Sequence, residues 1–146
     1  MNFKLPLIAV FVGAMSLTAC GGGSSGGGSV AVSSPASLVI NDVTVGTGAT
    51  VVKDSNVTLN YTISLYSATA ANNTGAQIES GTFKFKVGTV GQGGAITGVD
   101  TGILGMKVGG RRVLLIPASQ AYGSGGAGSI PPNSGVVFDM TLTNLN

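Results

Sequence analysis

The residues of this chain best equipped for chemistry lie close together near its C-terminal end. Gln120-Ala121-Tyr122-Gly123 is followed by a short glycine-rich loop, then by Ile130-Pro131-Pro132-Asn133 and Val136-Val137-Phe138-Asp139. That spacing puts a phenol, two prolines and a phenyl ring where one small apolar pocket can use them together. Histidine is absent from the 146 residues, which removes the usual general base, the Ser/His and Cys/His nucleophile pairs and the commonest metal ligand. One cysteine, Cys20, and five scattered carboxylates make no cluster with metal-ligand spacing, so neither a metal nor a cofactor is expected. An enzyme of this composition has to work by binding a strained conformer of its substrate with apolar surface and a few aimed hydrogen bonds.

The charges point the same way. Lys53, Lys84, Lys86, Lys107, Arg111 and Arg112 are dispersed and offset by Asp42, Asp54, Glu79, Asp100 and Asp139, so no basic patch invites nucleic acid. Arg111-Arg112 reads as a solvated strand edge.

The elements that must position these residues are mainly strands. Val57, Leu59, Tyr61, Ile63 and Leu65 alternate with polar side chains, the period of a half-buried strand. Phe83, Phe85 and Val87 face one way and Lys84 and Lys86 the other; Val136, Phe138, Met140 and Leu142 repeat the pattern, and Arg112 to Ile116 forms a further strand. Leu38-Val39-Ile40 and Val43-Thr44-Val45 supply an edge strand. The helical period appears once, where Ile96, Val99, Ile103 and Leu104 fall at i, i+3, i+7 and i+8 between Ala95 and Gly105; Gly98 and Gly102 weaken it, and three turns are the most that fit. The predicted fold class is α+β, a twisted antiparallel sheet wrapped around one short helix, because each apolar face needs a partner.

Four further segments complete a pattern with the C-terminal stretch: Asn60-Tyr61-Thr62, Gly81-Thr82-Phe83-Lys84-Phe85, Ile96-Thr97-Gly98-Val99 and Gly105-Met106-Lys107-Val108-Gly109-Gly110-Arg111-Arg112. Together they resemble the FKBP-type peptidyl-prolyl cis/trans isomerases over about Leu38 to Asn146. The resemblance implies a pocket lined by Tyr61, Phe83, Tyr122 and Phe138. It implies that the Ile96 N–H, with Ala95 as apolar neighbour, donates to a carbonyl of a bound prolyl segment. It gives the Tyr122 hydroxyl to the carbonyl preceding the proline and makes Ile130 an apolar wall. Three positions depart from the family's pattern: Val99 stands where many members carry a tryptophan floor, Ile78 replaces a phenylalanine, and Glu79 an aspartate. A shallower pocket with weaker grip on bulky macrolide inhibitors follows. The implied activity is isomerisation of X–Pro bonds in proline-containing polypeptides; the alternative is an FKBP-like lipoprotein that binds peptides with little catalysis. The chain from Tyr61 to Ile78 and the glycine-rich run Gly88 to Gly94 are longer than in minimal family domains and read as exposed loops. Neither an inserted chaperone domain nor a helical dimerisation arm is recognisable, and a monomer is expected.

Residues 1–19 read as a signal peptide, with one cation at Lys4, the apolar run Leu7 to Val12 and the ending Leu17-Thr18-Ala19 before Cys20. That run is too short to span a bilayer. A cysteine after small residues at a cleavage site is the arrangement that lipid attachment requires, so Cys20 is the expected lipidation site. Gly21, not an aspartate, then favours sorting to a bacterial outer membrane, facing the periplasm. Residues 20–37 carry the lipidated cysteine and a Gly/Ser-rich tether without charge or aromatic side chains; a flexible segment of this length reaches about 20–25 Å. Residues 38–146 form one domain.

Overall fold

Alternating side chains build most of the structure, a computed structural model that describes residues 32–146. The signal segment, Cys20 and the tether as far as residue 31 lie outside the described residues. In chain order the elements are β1 (Val39–Thr44), β2 (Asn56–Tyr66), β3 (Thr74–Lys86), α1 (Thr97–Gly102), β4 (Arg111–Ile116) and β5 (Val136–Leu145), with single 3-10 turns at Ala71–Asn73 and Ala118–Gln120. The strands form one antiparallel sheet in the order β1-β4-β5-β2-β3. Strands with one apolar face bury that face and leave the other to water. Leu59, Leu114, Ile116, Met140 and Leu142 are fully buried on the inner face, each stabilising the fold by about 1.5–3 kcal/mol.

α1 covers this face with six residues, within the three turns that are the most the pattern allows. Ile96 and Ile103 cap its two ends, and Leu104, expected on the apolar face, is exposed. The helix stops because Gly105 takes the left-handed conformation (φ 76°) and turns its N–H to the Val51 carbonyl at 3.0 Å. The two glycines that weaken the helical pattern have a packing role. A Cβ on Gly98 or Gly102 would fall within 3.0 Å of the Ile116 or Leu114 side chain, so their absence of side chain lets α1 lie flush on β4.

Arg112 departs from expectation most clearly. Only 8% exposed, it is not a solvated edge residue. Its guanidinium forks onto Asp42, the residue opposite it on β1, and its Nη1 donates to the carbonyls of Gly102 at 2.7 Å and Leu104 at 3.0 Å. It therefore binds the C-terminal end of α1 to the sheet, where a cation also complements the helix dipole. Arg111, its neighbour, points to the other face and pairs bidentately with Asp139 at 3.0 and 2.6 Å.

Candidate active site

Tyr61 stands at the centre of β2 on the inner face, and its ring organises its surroundings. Phe138 of β5 stacks on it, centroids 5.3 Å apart and planes 8° from parallel. Phe83 of β3 meets it edge-on at 6.3 Å and 74°, and stacks in turn on Phe85 at 5.1 Å. Such pairs contribute about 0.5–1.5 kcal/mol beyond their area. They fix three rings from three adjacent strands as a rigid wall.

The wall bounds a cavity of about 460 Å³, mostly apolar, lined by Tyr61, Ile63, Glu79, Phe83, Gly91, Gln92, Gly94, Ala95, Ile96, Val99, Tyr122 and Phe138. The volume suits a small ligand. Val99, 1% exposed, rises from α1 as its floor. A wider cleft on the opposite sheet face, about 640 Å³, is lined by Asn41, Asn72, Asn73, Gln77, Thr62 and Ser64 among others and has no aromatic ring.

Beside the Glu79 and Gln92 side chains, three donors belong to the lining residues of the apolar cavity. The Tyr61 hydroxyl donates to Glu79 Oε1 at 2.6 Å; that bond, then burial and the carboxylate's charge, push its phenol up to about 12. The Tyr122 phenol is also raised, by burial first and by Glu79 second, and its hydroxyl has no hydrogen-bond partner among the described residues. The Ile96 N–H is likewise without a partner there, while the Ile96 carbonyl accepts from Val99 and Asp100 at 3.0 and 3.1 Å and starts the helix. Two donors without a partner among the described residues thus belong to residues that line one apolar hollow, and the raised phenol stays protonated across the physiological range. The one carboxylate of the lining, Glu79, is engaged by the Tyr61 hydroxyl, and the lining residues include no histidine, cysteine, serine or lysine. The site can grip a ring, strip water from an amide and donate to its carbonyls.

Of the residues singled out by sequence, Tyr61, Glu79, Phe83, Ala95, Ile96, Val99, Tyr122 and Phe138 line this cavity. Ile78 and Ile130 do not. Ile78 is half-buried at the margin of the core. Ile130 is 5% exposed; paired backbone bonds with Ala127 at 2.7 and 3.0 Å fold the loop back, and the side chain is buried in the core cluster that also contains Val99 and Phe138. Sequence reasoning missed Ile63, Gln92 and the glycines around it. Ile63 shares the parity of Tyr61 on β2 and was legible from alternation. Gln92 was not: the run Gly88 to Gly94 is largely exposed, as its composition suggests, but Gly88 N–H donates to Asp100 Oδ1 at 2.6 Å and Gly94 N–H to the Gly91 carbonyl at 2.9 Å, which folds the loop against the cavity mouth.

A five-stranded antiparallel sheet closed by a short helix, with an aromatic hollow between them, defines the FKBP fold. Residues 48–143 match the family FKBP-type peptidyl-prolyl cis-trans isomerase, and the chain belongs to it. It is 37% identical over 110 residues to FK506-binding protein of Neisseria meningitidis, covering 75% of this chain and 96% of that one. It is 35% identical over 113 residues to peptidyl-prolyl cis-trans isomerase FKBP16-4, chloroplastic, of Arabidopsis thaliana, covering 76% and 49%. Among solved structures it is similar to FkpA from Escherichia coli, with 30% identity and a TM-score of 0.61 over 75% of this chain and 48% of that one. The chain therefore spans about half the length of the Arabidopsis relative and of FkpA.

Proposed function

We propose that this chain catalyses cis/trans isomerisation of X–Pro bonds and assists the folding of envelope or secreted proteins. The observation that carries the reading is the pairing of two donors without a partner among the described residues, the Tyr122 hydroxyl and the Ile96 N–H, with an apolar hollow walled by Tyr61, Phe83 and Phe138. Rotation about an imide breaks its conjugation, which makes the uncatalysed step slow, tens to hundreds of seconds. A hollow that holds the proline ring and replaces water around the amide favours the twisted state, in which the carbonyl is no longer conjugated with nitrogen. An acceleration on the order of 10⁵ corresponds to about 7 kcal/mol. Ring contacts, desolvation and the two donors share that stabilisation, without covalent intermediate, metal or cofactor.

The same hollow is the expected site for a macrolide of the FK506 kind. Upstream, Cys20 is the proposed lipid attachment point after removal of residues 1–19, and residues 20–37 the link to the domain at 38–146, placing a monomer on a bacterial envelope membrane, the outer membrane facing the periplasm. Support for this part of the reading comes from the sequence of the first 20 residues.

A protease-free assay of cis/trans exchange in short X–Pro peptides tests the reading. Saturable catalysis inhibited by FK506 supports it. Binding of proline-containing peptides without acceleration favours the second reading, a peptide-binding lipoprotein, for which the aliphatic floor at Val99 is the specific argument.

A further inference from the structure

Tyr122 belongs to a single excursion of the chain that leaves β4 at Pro117 and rejoins β5 after Gly135. Its first turn is organised around Ala118. The Ala118 carbonyl accepts from the N–H groups of Ala121 at 3.1 Å and Gly123 at 2.8 Å, the two residues that flank Tyr122. Gly123 in turn accepts at 2.8 Å from Asn133 N–H near the returning end. The direction of the Tyr122 side chain therefore follows the orientation of the Ala118 peptide.

That peptide is held from outside the loop by residues that precede β1. The Ala118 N–H donates to Ser34 Oγ at 3.0 Å. At the other end of the excursion the Gly135 N–H donates to the Ser33 carbonyl at 2.9 Å, and Ser33 Oγ donates to the Tyr66 carbonyl at the end of β2, also at 2.9 Å. Pro35 lies against Gly135 so closely that a Cβ there would fall within 3.0 Å of Pro35 Cδ. Ser33 and Pro35 are half-buried. Among the described residues the contacts of the folded unit thus reach back to Ser33, ahead of Leu38, in a stretch whose composition reads as tether. Three residues join the start of the loop, its end and the strand that carries Tyr61.

We propose that Ser33, Ser34 and Pro35 form a clasp that closes the base of the Tyr122 loop and acts as a set of positioning residues for the isomerase site. The proposal rests on the isomerase reading for its effect on rate, and on geometry alone for its effect on the loop. A loop whose two ends are tied together has fewer conformations to sample, so the hydroxyl spends more of its time aimed into the cavity.

A double-mutant cycle in the full chain tests this. Ser34→Ala removes the acceptor of the Ala118 N–H without touching the cavity and is expected to lower kcat about twofold to fivefold at nearly unchanged KM, the scale of one neutral hydrogen bond. Ser34→Thr, which keeps a hydroxyl acceptor, restores the rate. In a Tyr122→Phe background Ser34→Ala has no further effect, because the group it positions is gone; equal losses in both backgrounds would overturn the positioning role. Amide exchange measured on the same proteins gives a readout independent of catalysis. Faster exchange at Ala118 and Gly123 in Ser34→Ala supports the clasp, and unchanged exchange at both overturns it. If the parent does not isomerise peptides, the isomerase reading fails, while the exchange result still decides whether the clasp exists.

Discussion

At the scale of single residues, the site works by hydrogen-bond donors and surfaces that keep one protonation state. Tyr122→Phe removes one neutral donor and leaves the ring in place; a loss of about 0.5–1.5 kcal/mol of transition-state stabilisation, roughly twofold to tenfold in kcat/KM, is expected in the peptide assay. A larger loss would mean that the phenol does more than donate to a carbonyl. Tyr61 makes a different prediction, because its hydroxyl is committed to Glu79 and its folded pKa is raised from 10.0 to about 12. A raised pKa means that the neutral, hydrogen-bonded phenol is favoured by folding. Its contribution is fully present below pH 10 and is lost as pH rises from there toward 12. Chemical denaturation at a series of pH values should show this decline in the parent, and Tyr61→Phe should remove that part of it. Tyr122, the other raised phenol, supplies the background against which the difference is read.

Between residues and fold stand the elements, and here the sequence was informative where alternation applied and silent where long-range bonds decided. Leu59, Tyr61 and Ile63 announce the inner face of β2 by parity alone, and the same holds for Phe138, Met140 and Leu142 on β5. Tyr61, Phe83 and Phe138 lie on strands whose alternation gives their side, while their gathering into one pocket with Tyr122, on the loop between β4 and β5, was legible only through the family resemblance. Loops carry no such period: Ile130 lies in the core cluster and Gln92 at the cavity mouth, in loops folded by backbone bonds that composition does not encode. Arg112 was misjudged for a related reason. A charged pair at the start of a strand looks solvated until the opposite strand brings Asp42 to one of its members and α1 brings two carbonyls to the same guanidinium. Replacing Arg112 by methionine keeps much of the stem and removes the donors. Asp42 is 43% exposed and can be solvated by water, but the Gly102 carbonyl lies on the buried side of the bond. The expected cost is about 2–3 kcal/mol in denaturant unfolding, between a lost partner and a fully buried broken pair. Because α1 carries Val99 and follows Ile96, the folded fraction should also bind inhibitor less tightly; full stability in Arg112→Met would show that the glycine contacts with Leu114 and Ile116 hold the helix unaided.

On the proposed function, the whole molecule would join a folding catalyst to the membrane near which unfolded clients arrive, with Cys20 as the lipid attachment point. A generic grip on a proline ring selects little among sequences, so where the enzyme is held does much of the selecting: a tethered site samples chains emerging near its membrane at a raised effective concentration. Attachment and catalysis then belong to separate parts of the chain and are separable by one substitution. A single acyl chain anchors only marginally, so stable attachment implies at least two. Cys20→Ser lies well outside the described domain and changes no group in the cavity. Expressed as the full chain in a Gram-negative host, the parent should partition with membranes and carry diacylglyceryl and a further acyl chain by mass spectrometry, whereas Cys20→Ser should carry none and leave the membrane fraction. Its rate on short soluble X–Pro peptides should match that of the parent, while its effect on refolding of a membrane-proximal client should fall. Lipid on the serine variant would refute attachment at Cys20, and an equal fall in peptide turnover would show that the anchor acts on the site itself, through the same stretch of chain that holds Ala118 and Gly135.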